Sequence, residues 1–449
     1  MRQSQSLLKL ASRRLRPASD FLSPVQHVTR SHATSVLVRG EADAESAAMQ
    51  AMEGLTSHFQ GVPPDLTLWF AKGYGARAKP IGPLLQKSIS GSGVIIGSSA
   101  EAGLIGNGDE IQEETFALTV MALQLGGVRI FPFHSANMAM LPELGRGGSW
   151  SQLRASTMPP CVLAFCGMPL AQGSNPQAFC KLVDRALCAE DSSDQMHPPT
   201  VIGGLTVGHH MFIDGTHYTG GTFGVALLPE SKTSARFEAM VCQGAVPFGP
   251  WLTITSVAND HTITEIDGKN PADVLMPLLN GPQVPGTGNT MAGILVDPSL
   301  GSKYGLPGEL SSSPMGARPN CVVRPMHSIT TEGHLVISPI TEDIPYAPDM
   351  KIQLQCMNAE LALEDLRMRA GFDVMAHNGS PPDAAVVISC GARGLQLYGS
   401  EGVESKALRQ AWGRHVPTAG FFAGGEIGPV GSKTYMHGFT TSCLLVHRV

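Results

Sequence analysis

Cys390, Glu426 and His437, all near the C-terminal end of the chain, are a thiol, a carboxylate and an imidazole. Thiol-dependent hydrolysis or group transfer needs those three types: Cys390 as nucleophile, His437 as base and Glu426 to orient the imidazole. Two glycine-rich stretches carry the first two. Val386-Val-Ile-Ser-Cys390-Gly-Ala-Arg393-Gly394 sets a thiol and an arginine three residues apart where an apolar strand becomes a turn. Gly420-Phe-Phe-Ala-Gly-Gly-Glu426-Ile-Gly-Pro-Val-Gly431 reads as a strand followed by a turn whose glycines let backbone approach whatever Glu426 contacts.

The same residues suit a binding pocket. Arg393 offers a planar fork for a ligand carboxylate, and polar turns at strand ends above an apolar floor make small-molecule sites. The apolar run before Cys390 argues against a reactive thiol, because it raises the thiol pKa unless a cation such as Arg393 lies beside it. A cysteine at a strand end is commonly packing, and a glutamate in a glycine-rich turn commonly caps backbone N–H groups. Three readings follow: a ligand-binding protein, expected first; a thiol enzyme; and a scaffold presenting apolar surface to a protein partner.

Other chemistries lack their motifs. No GxxxxGK[ST] occurs, Gly97 to Gly108 lacks the GxGxxG spacing, and no Gly-x-Ser-x-Gly elbow is present. His209, His210, His217 and His261 are scattered, with no HExxH, so neither a metal nor a cofactor is expected. The nine cysteines include no CxxC, which reads as buried reduced thiols.

The elements that must position these residues alternate. Helices are expected over Ala42–Gln60, near Pro83–Ser88, from Asn175-Pro176, over Asn358–Arg369 with Leu361, Leu363 and Leu366 inward, and over Glu401–Trp412. Apolar strands are expected at Leu66–Phe70, Val94–Ile96, Phe116–Leu123, Val128–Phe131, Val162–Phe165, Val201–Leu205, Thr222–Leu227, Phe237–Cys242 and Leu252–Thr255. Further strands follow at Cys321–Arg324, Leu335–Ser338 and Ala385–Ser389, with His437–Val446 closing the chain. Loops of varied length between them predict an α+β fold of two layered domains, each a mixed, mostly antiparallel sheet flanked by helices. A Gly-, Pro- and Ser-rich connection at 276–320 separates an expected first domain, 41–275, from a second, 321–449.

The 449 residues carry 31 basic and 37 acidic side chains, a net charge of −6, so no basic field is present to hold nucleic acid. With 43% hydrophobic residues and a mean hydropathy of +0.05, the chain should fold and stay soluble, without a membrane span. The first forty residues differ: Arg2, Lys9, Arg13, Arg14, Arg16, Arg30 and Arg39 stand against the single acid Asp20. That balance, with Leu7, Leu8, Ala11 and Leu15 near one helical face, predicts a transit peptide over 1–40. A mitochondrial destination is expected, with a plastid or the cytoplasm as alternatives.

Several segments resemble the FIST family, whose members pair a FIST N with a FIST C domain. In the first half these are Pro64-Asp-Leu-Thr-Leu-Trp-Phe70, Ile96-Gly-Ser98-Ser99-Ala-Glu-Ala-Gly103 with Glu110, Val201–Leu205, Gly220–Leu227, Cys242–Gly249, and Thr253 with Glu265–Gly268. In the second half they are Val323-Arg324, the Cys390 turn, and Gly424-Gly425-Glu426 with the later His437. The resemblance covers about residues 62 to 447. It implies a sensory module that binds a small molecule such as an amino acid or carboxylate, with a protein partner reading the bound state. The motifs would offer Ser98, Ser99, Arg324 and Cys390 to that ligand, together with Arg393, Gly424, Gly425, Glu426 and His437. The family's QGCRPIG-like run is Gln243-Gly-Ala-Val-Pro-Phe-Gly249 here, lacking the Cys and the Arg. The F-box of one eukaryotic branch has no counterpart before Ala42.

Overall fold

Leu66, Leu68 and Phe70 are buried in one apolar cluster, while the alternating Trp69 and Ala71 are buried in another. A strand apolar on both sides must be covered on both sides, and this strand lies inside a stack of layers. The computed structural model describes residues 32–448 apart from 60, 92, 169, 171–174, 189–198, 282–288, 296–320 and 339–344. From His32 onward the chain forms one compact unit.

The first sheet has six strands in the order β1 (Ala33–Arg39), β6 (Ala117–Leu123), β2 (Leu66–Lys72), β3 (Val94–Ser99), β10 (His210–Ile213) and β11 (Thr216–Thr219). The second runs β13 (Arg236–Cys242), β23 (Thr441–His447), β20 (Ala384–Cys390), β21 (Thr418–Val430), β9 (Thr200–Thr206), β8 (Cys161–Gly167), β12 (Thr222–Pro229) and β7 (Val128–Ser135). To this path β22 (Lys433–His437), β4 (Leu104–Gly106) and β5 (Asp109–Ile111) are added. A closed barrel follows the order β14 (Ala245–Asn259), β15 (Thr262–Ile266), β18 (Leu335–Ile337), β17 (Val322–Ile329), β16 (Asn289–Leu295) and β19 (Lys351–Met357).

Leu68, Phe70 and Ile96 of the first sheet pack against Phe165, Ile388 and Phe421 of the second, with Phe70 and Phe421 ring centroids 4.9 Å apart. Helix α1 (Ala44–Phe59) covers the outer face of the first sheet through Ala47, Ala48, Ala51 and Leu55; α2 (Ile81–Leu85) joins it there. Two groups of helices cover the outer face of the second. The short α3 (Trp150–Arg154) and α4 (Pro176–Leu187) pack on β7, β8 and β12. Asn175 caps α4 through N–H bonds from Gln177 and Ala178, with Pro176 in the first turn as expected. Helix α5 (Pro271–Leu279) packs on the barrel, and α6 (Ala359–Ala376) and α8 (Val403–Trp412) cover β20 and β23.

The fold is α+β, with mostly antiparallel pairing and parallel exceptions at β2–β3, β8–β9 and β20–β21. Four expectations need correction. Residues 33–39 are not leader but strand β1, paired along its whole length with β6, because Thr34, Val36 and Val38 are β-branched and the buried positions recur; residues 1–31 lie outside those described. Strand β16 occupies 289–295 of the expected connection, since Thr-Met-Ala-Gly-Ile-Leu supplies an apolar run for the barrel. Gly420–Gly431 is almost wholly strand β21, its glycines accommodating close neighbours: a Cβ at Gly420 would collide with the Val387 carbonyl. The closing strand is two strands, β22 and β23, separated by Gly438–Thr440.

The sheets also do not divide between residues 275 and 321. First-half β13 pairs with the last strand β23, and β4 and β9 both pair with β21. Glu110 on β5 extends the same interlock: its carboxylate oxygens accept the Gly402 N–H at 3.0 Å and the Ser405 N–H at 2.6 Å, capping α8. Burial, with the charge of Glu404 second, pushes Glu110 up to about 7.

Candidate functional site

Strand β20 ends at Cys390 and the chain turns through Gly391 and Ala392 into the short helix α7 (Gly394–Tyr398). Beside it β21 carries one extra residue relative to β9: the register runs Ala423 opposite Thr206, then Glu426 opposite Gly204. This β-bulge lies at Gly424-Gly425 and redirects the strand, so that Glu426 enters the interior. Neither glycine has a positive φ. They serve close approach instead, a Cβ at Gly424 meeting the Met168 sulfur and one at Gly425 meeting Met436.

Glu426 is fully buried. Its Oε2 accepts the N–H of Thr440 at 3.1 Å and the Thr440 hydroxyl at 2.9 Å, while Oε1 has no hydrogen-bond partner among the described residues. Burial pushes the carboxyl up to about 8, against the stabilising effects of Thr440, Arg393 and the neighbouring Cys390 thiol. The turn that supplies Thr440 is strained at Phe439, whose φ is 64°.

Cys390 is half-buried beside this carboxyl. Burial first, and the Glu426 charge second, push its thiol up to about 12, although the N–H groups of Ala392 and Phe439 face the sulfur. The group is therefore a protonated thiol at neutral pH, not an activated nucleophile.

His437 stands directly opposite Glu426 in the β21–β22 ladder, yet its ring Nε2 donates to the Gly428 carbonyl at 3.1 Å. The expected orientation of His437 by Glu426 does not form. Burial, reinforced by the charge of Arg324, lowers His437 to about 4 and keeps it neutral. Arg324, on β17 of the barrel, is buried, donating from Nη2 to the Met436 carbonyl at 3.1 Å and from Nη1 to its neighbour's carbonyl at 2.9 Å. Burial lowers it to about 10.

Arg393 was expected to fork a ligand carboxylate, but its carboxylate comes from this chain. Its Nε donates to Glu404 Oε1 at 2.6 Å, and Nη1 and Nη2 donate to the Phe439 carbonyl at 3.0 Å and the Tyr398 hydroxyl at 3.1 Å. Ser389 and Thr441 hold the other Glu404 oxygen. Burial raises Glu404, but Arg393 and the hydroxyls of Ser389 and Tyr398 outweigh it and leave the carboxyl below its usual range. A fully buried guanidinium bonded to this chain through all three of its nitrogens supports the turn.

Ser98 and Ser99 lie on β3 in the other sheet. The Ser98 hydroxyl donates to the Ser99 carbonyl, and the Ser99 hydroxyl accepts the N–H of His210 at 3.2 Å. Of the residues expected in the site, the fold brings Cys390, Gly424, Gly425 and Glu426 together at one strand end. Arg324, bonded to the Met436 carbonyl, lies close enough to His437 for its charge to disfavour the imidazolium. Thr440, Ser389, Tyr398 and Glu404 were missed; Glu401–Trp412 was read as a helix, but nothing in its spacing marks Glu404 as Arg393's partner. A surface hollow of about 160 Å³ beside Pro63, Asp65, Val128 and Arg146 is lined by none of these residues, and its arginine is paired with Asp214 at 2.9 Å.

Residues 65–269 match the FIST N domain and residues 299–429 the FIST C domain, which together take in most of the chain. The chain belongs to the FIST family. These domains are associated with sensory and signal-transduction proteins. Among curated relatives, a Mycobacterium tuberculosis protein is 29% identical over 272 residues, 58% of this chain and 64% of the relative. A Mycobacterium bovis protein is 26% identical over 272 residues, 58% of this chain and 63% of the relative. Both are named only as uncharacterized, and the match spans less than two thirds of each. These relatives overturn the expectation of organelle import, since mycobacteria contain neither mitochondria nor plastids. No helix among the described residues is long and apolar enough to cross a membrane.

Proposed function

We propose that this FIST chain is a sensor that binds a small amino acid or carboxylate at the strand end where Cys390, Gly424 and Glu426 meet. The observation that carries the reading is the Glu426 carboxyl: fully buried, with one oxygen held by Thr440 and the other without a hydrogen-bond partner among the described residues. A buried polar atom without a partner costs free energy that a ligand group can recover. The bulge at Gly424-Gly425 and the half-buried Cys390 lie beside it, as expected of a site mouth in a rigid sheet. Arg393 and Glu404 serve as the support that fixes the Cys390 turn.

A thermal-shift and calorimetric panel of amino acids and small carboxylates on wild type and Glu426→Gln tests this. At least one compound raises the melting temperature of wild type, and Glu426→Gln abolishes or weakens the shift tenfold or more in concentration. No shift with any compound, or an equal shift in Glu426→Gln, rejects the site. The pH dependence identifies the group at Glu426. An ammonium binds the ionised carboxylate and gains affinity as pH rises toward 8, whereas a ligand carboxylate needs the protonated form and loses affinity over the same range.

A further inference from the structure

We propose that Glu238, Asp373, His377 and His447 form a binding site for a divalent transition-metal ion of the zinc type. Glu238 comes from the edge strand β13, Asp373 from α6, His377 from the residue capping α6, and His447 from the end of β23. One ligand atom from each lies within 4.8 Å of the others. The fold dictates this meeting: Arg236 pairs with His447, which makes Glu238 the diagonal neighbour of His447 on one face of the sheet, while Asp373 and His377 are one helical turn apart.

The cluster gathers two imidazoles and two carboxylates around one point. His377 Nδ1 donates to the Asp373 main-chain carbonyl at 2.8 Å, so in a neutral ring Nε2 carries a lone pair. Nε2 nevertheless faces the Glu238 carboxylate, with Oε1 at 3.2 Å. His447 Nε2 lies 3.0 Å from Asp373 Oδ1, and the two imidazoles stack 3.7 Å apart at 8°.

Asp373 supplies a second, independent indication. Its side chain is 3% exposed, and Oδ2 has no hydrogen-bond partner among the described residues. A cation held among the two carboxylates and the two imidazoles gives that oxygen a partner. Metal-bound imidazole typically donates its other N–H to a main-chain carbonyl, as His377 does. Two imidazoles with two carboxylates favour zinc-like ions over magnesium or calcium, which take oxygen ligands. Asp373 and His447 form a buried floor, while the Glu238 side chain, 45% exposed, leaves a route from solvent. The ion would tie α6 to the edge of the second sheet.

Zinc titration of the full chain against a chromogenic chelator, with magnesium in parallel, tests the proposal. One zinc ion per chain binds, magnesium does not compete at thousandfold excess, and Glu238→Gln and His377→Ala each weaken zinc binding by about tenfold or more. Glu238→Gln alters an exposed side chain, so its circular dichroism and melting temperature without metal stay at the wild-type values. His217→Ala, in the separate His210–His217 pair, leaves the affinity unchanged. Absence of a one-to-one zinc complex, equal binding of magnesium, undiminished affinity in folded Glu238→Gln and His377→Ala, or loss in His217→Ala overturns it.

Discussion

Arg393 and Glu404 form an ion pair at 2.6 Å in which neither side chain exceeds 1% exposure. Removing one member leaves the other charge buried and uncompensated, which costs about 3–5 kcal/mol. Arg393→Ala therefore loses stability in urea melts, whereas the double change Arg393→Met with Glu404→Met recovers much of it. A Glu426 ligand survives in whatever fraction of Arg393→Ala remains folded. Near-wild-type stability in Arg393→Ala would show that the pair is not what holds the Cys390 turn.

The carboxyl of Glu426 makes stability depend on pH in a calculable direction. Its folded value, about 8, lies above the ordinary 4.5, so the native state holds the proton more tightly than the unfolded chain. Stability from this group is present below 4.5 and is lost as pH rises toward 8, by up to a few kcal/mol. His437 acts oppositely: its folded value of about 4 lies below 6.5, so its contribution is present above 6.5 and lost as pH falls toward 4. Denaturant melts across pH should show wild type losing ground to Glu426→Gln between 4.5 and 8, and to His437→Gln between 6.5 and 4. Parallel curves for wild type and Glu426→Gln would mean that the carboxyl is solvated.

Much of the framework was legible because burial on both faces writes continuous apolar runs: Leu66–Phe70 and Ala385–Ser389 need no partner to be recognised. The Asn175-Pro176 start of α4 was equally plain, since capping is local. Helix α6 was less so. It buries Ala362, Leu366 and Ala370 but also Asp365 and Asp373, so its inward face is partly acidic; Leu361 and Leu363 are only partly buried, packing against the barrel core and the core under β20 and β23. The site was half legible. Cys390 and Glu426 stood out as polar residues among glycines, but the bulge that joins them and the loss of Arg393 to Glu404 depend on partners elsewhere in the chain. The same holds for Glu238 and His447, which a strand pairing joins across the whole fold; the Asp373–His377 spacing was the only local sign of that cluster.

Glycines in β21 differ in what they make room for, and substitutions should separate them. A Cβ at Gly420 would collide with the Val387 main chain, and one at Gly428 with Val241 and Ser442 in the packed interior. At Gly424 the obstacle is the sulfur of Met168, which can rotate away. Gly420→Ala should prevent folding or cost several kcal/mol, Gly428→Val should cost about 1–3 kcal/mol from overpacking, and Gly424→Ala should cost least. Chemical denaturation ranks them. If Gly424→Ala were as damaging as Gly420→Ala, the bulge would be holding strain rather than space.

The thiol of Cys390 should report the charge on Glu426. Burial and that charge push it to about 12, so at pH 7 almost no thiolate exists and alkylation by iodoacetamide is slow despite partial exposure. At pH 9 wild-type Glu426 is ionised and still opposes the thiolate, whereas Glu426→Gln removes the opposition. Glu426→Gln should then alkylate faster than wild type at pH 9, by about tenfold for each pKa unit recovered, and not at pH 7. Peptide mass spectrometry separates Cys390 from Cys188, the other half-buried cysteine. Rapid labelling of wild-type Cys390 at pH 7 would mean an activated thiolate, and would return the thiol-enzyme reading in place of the binding site proposed here.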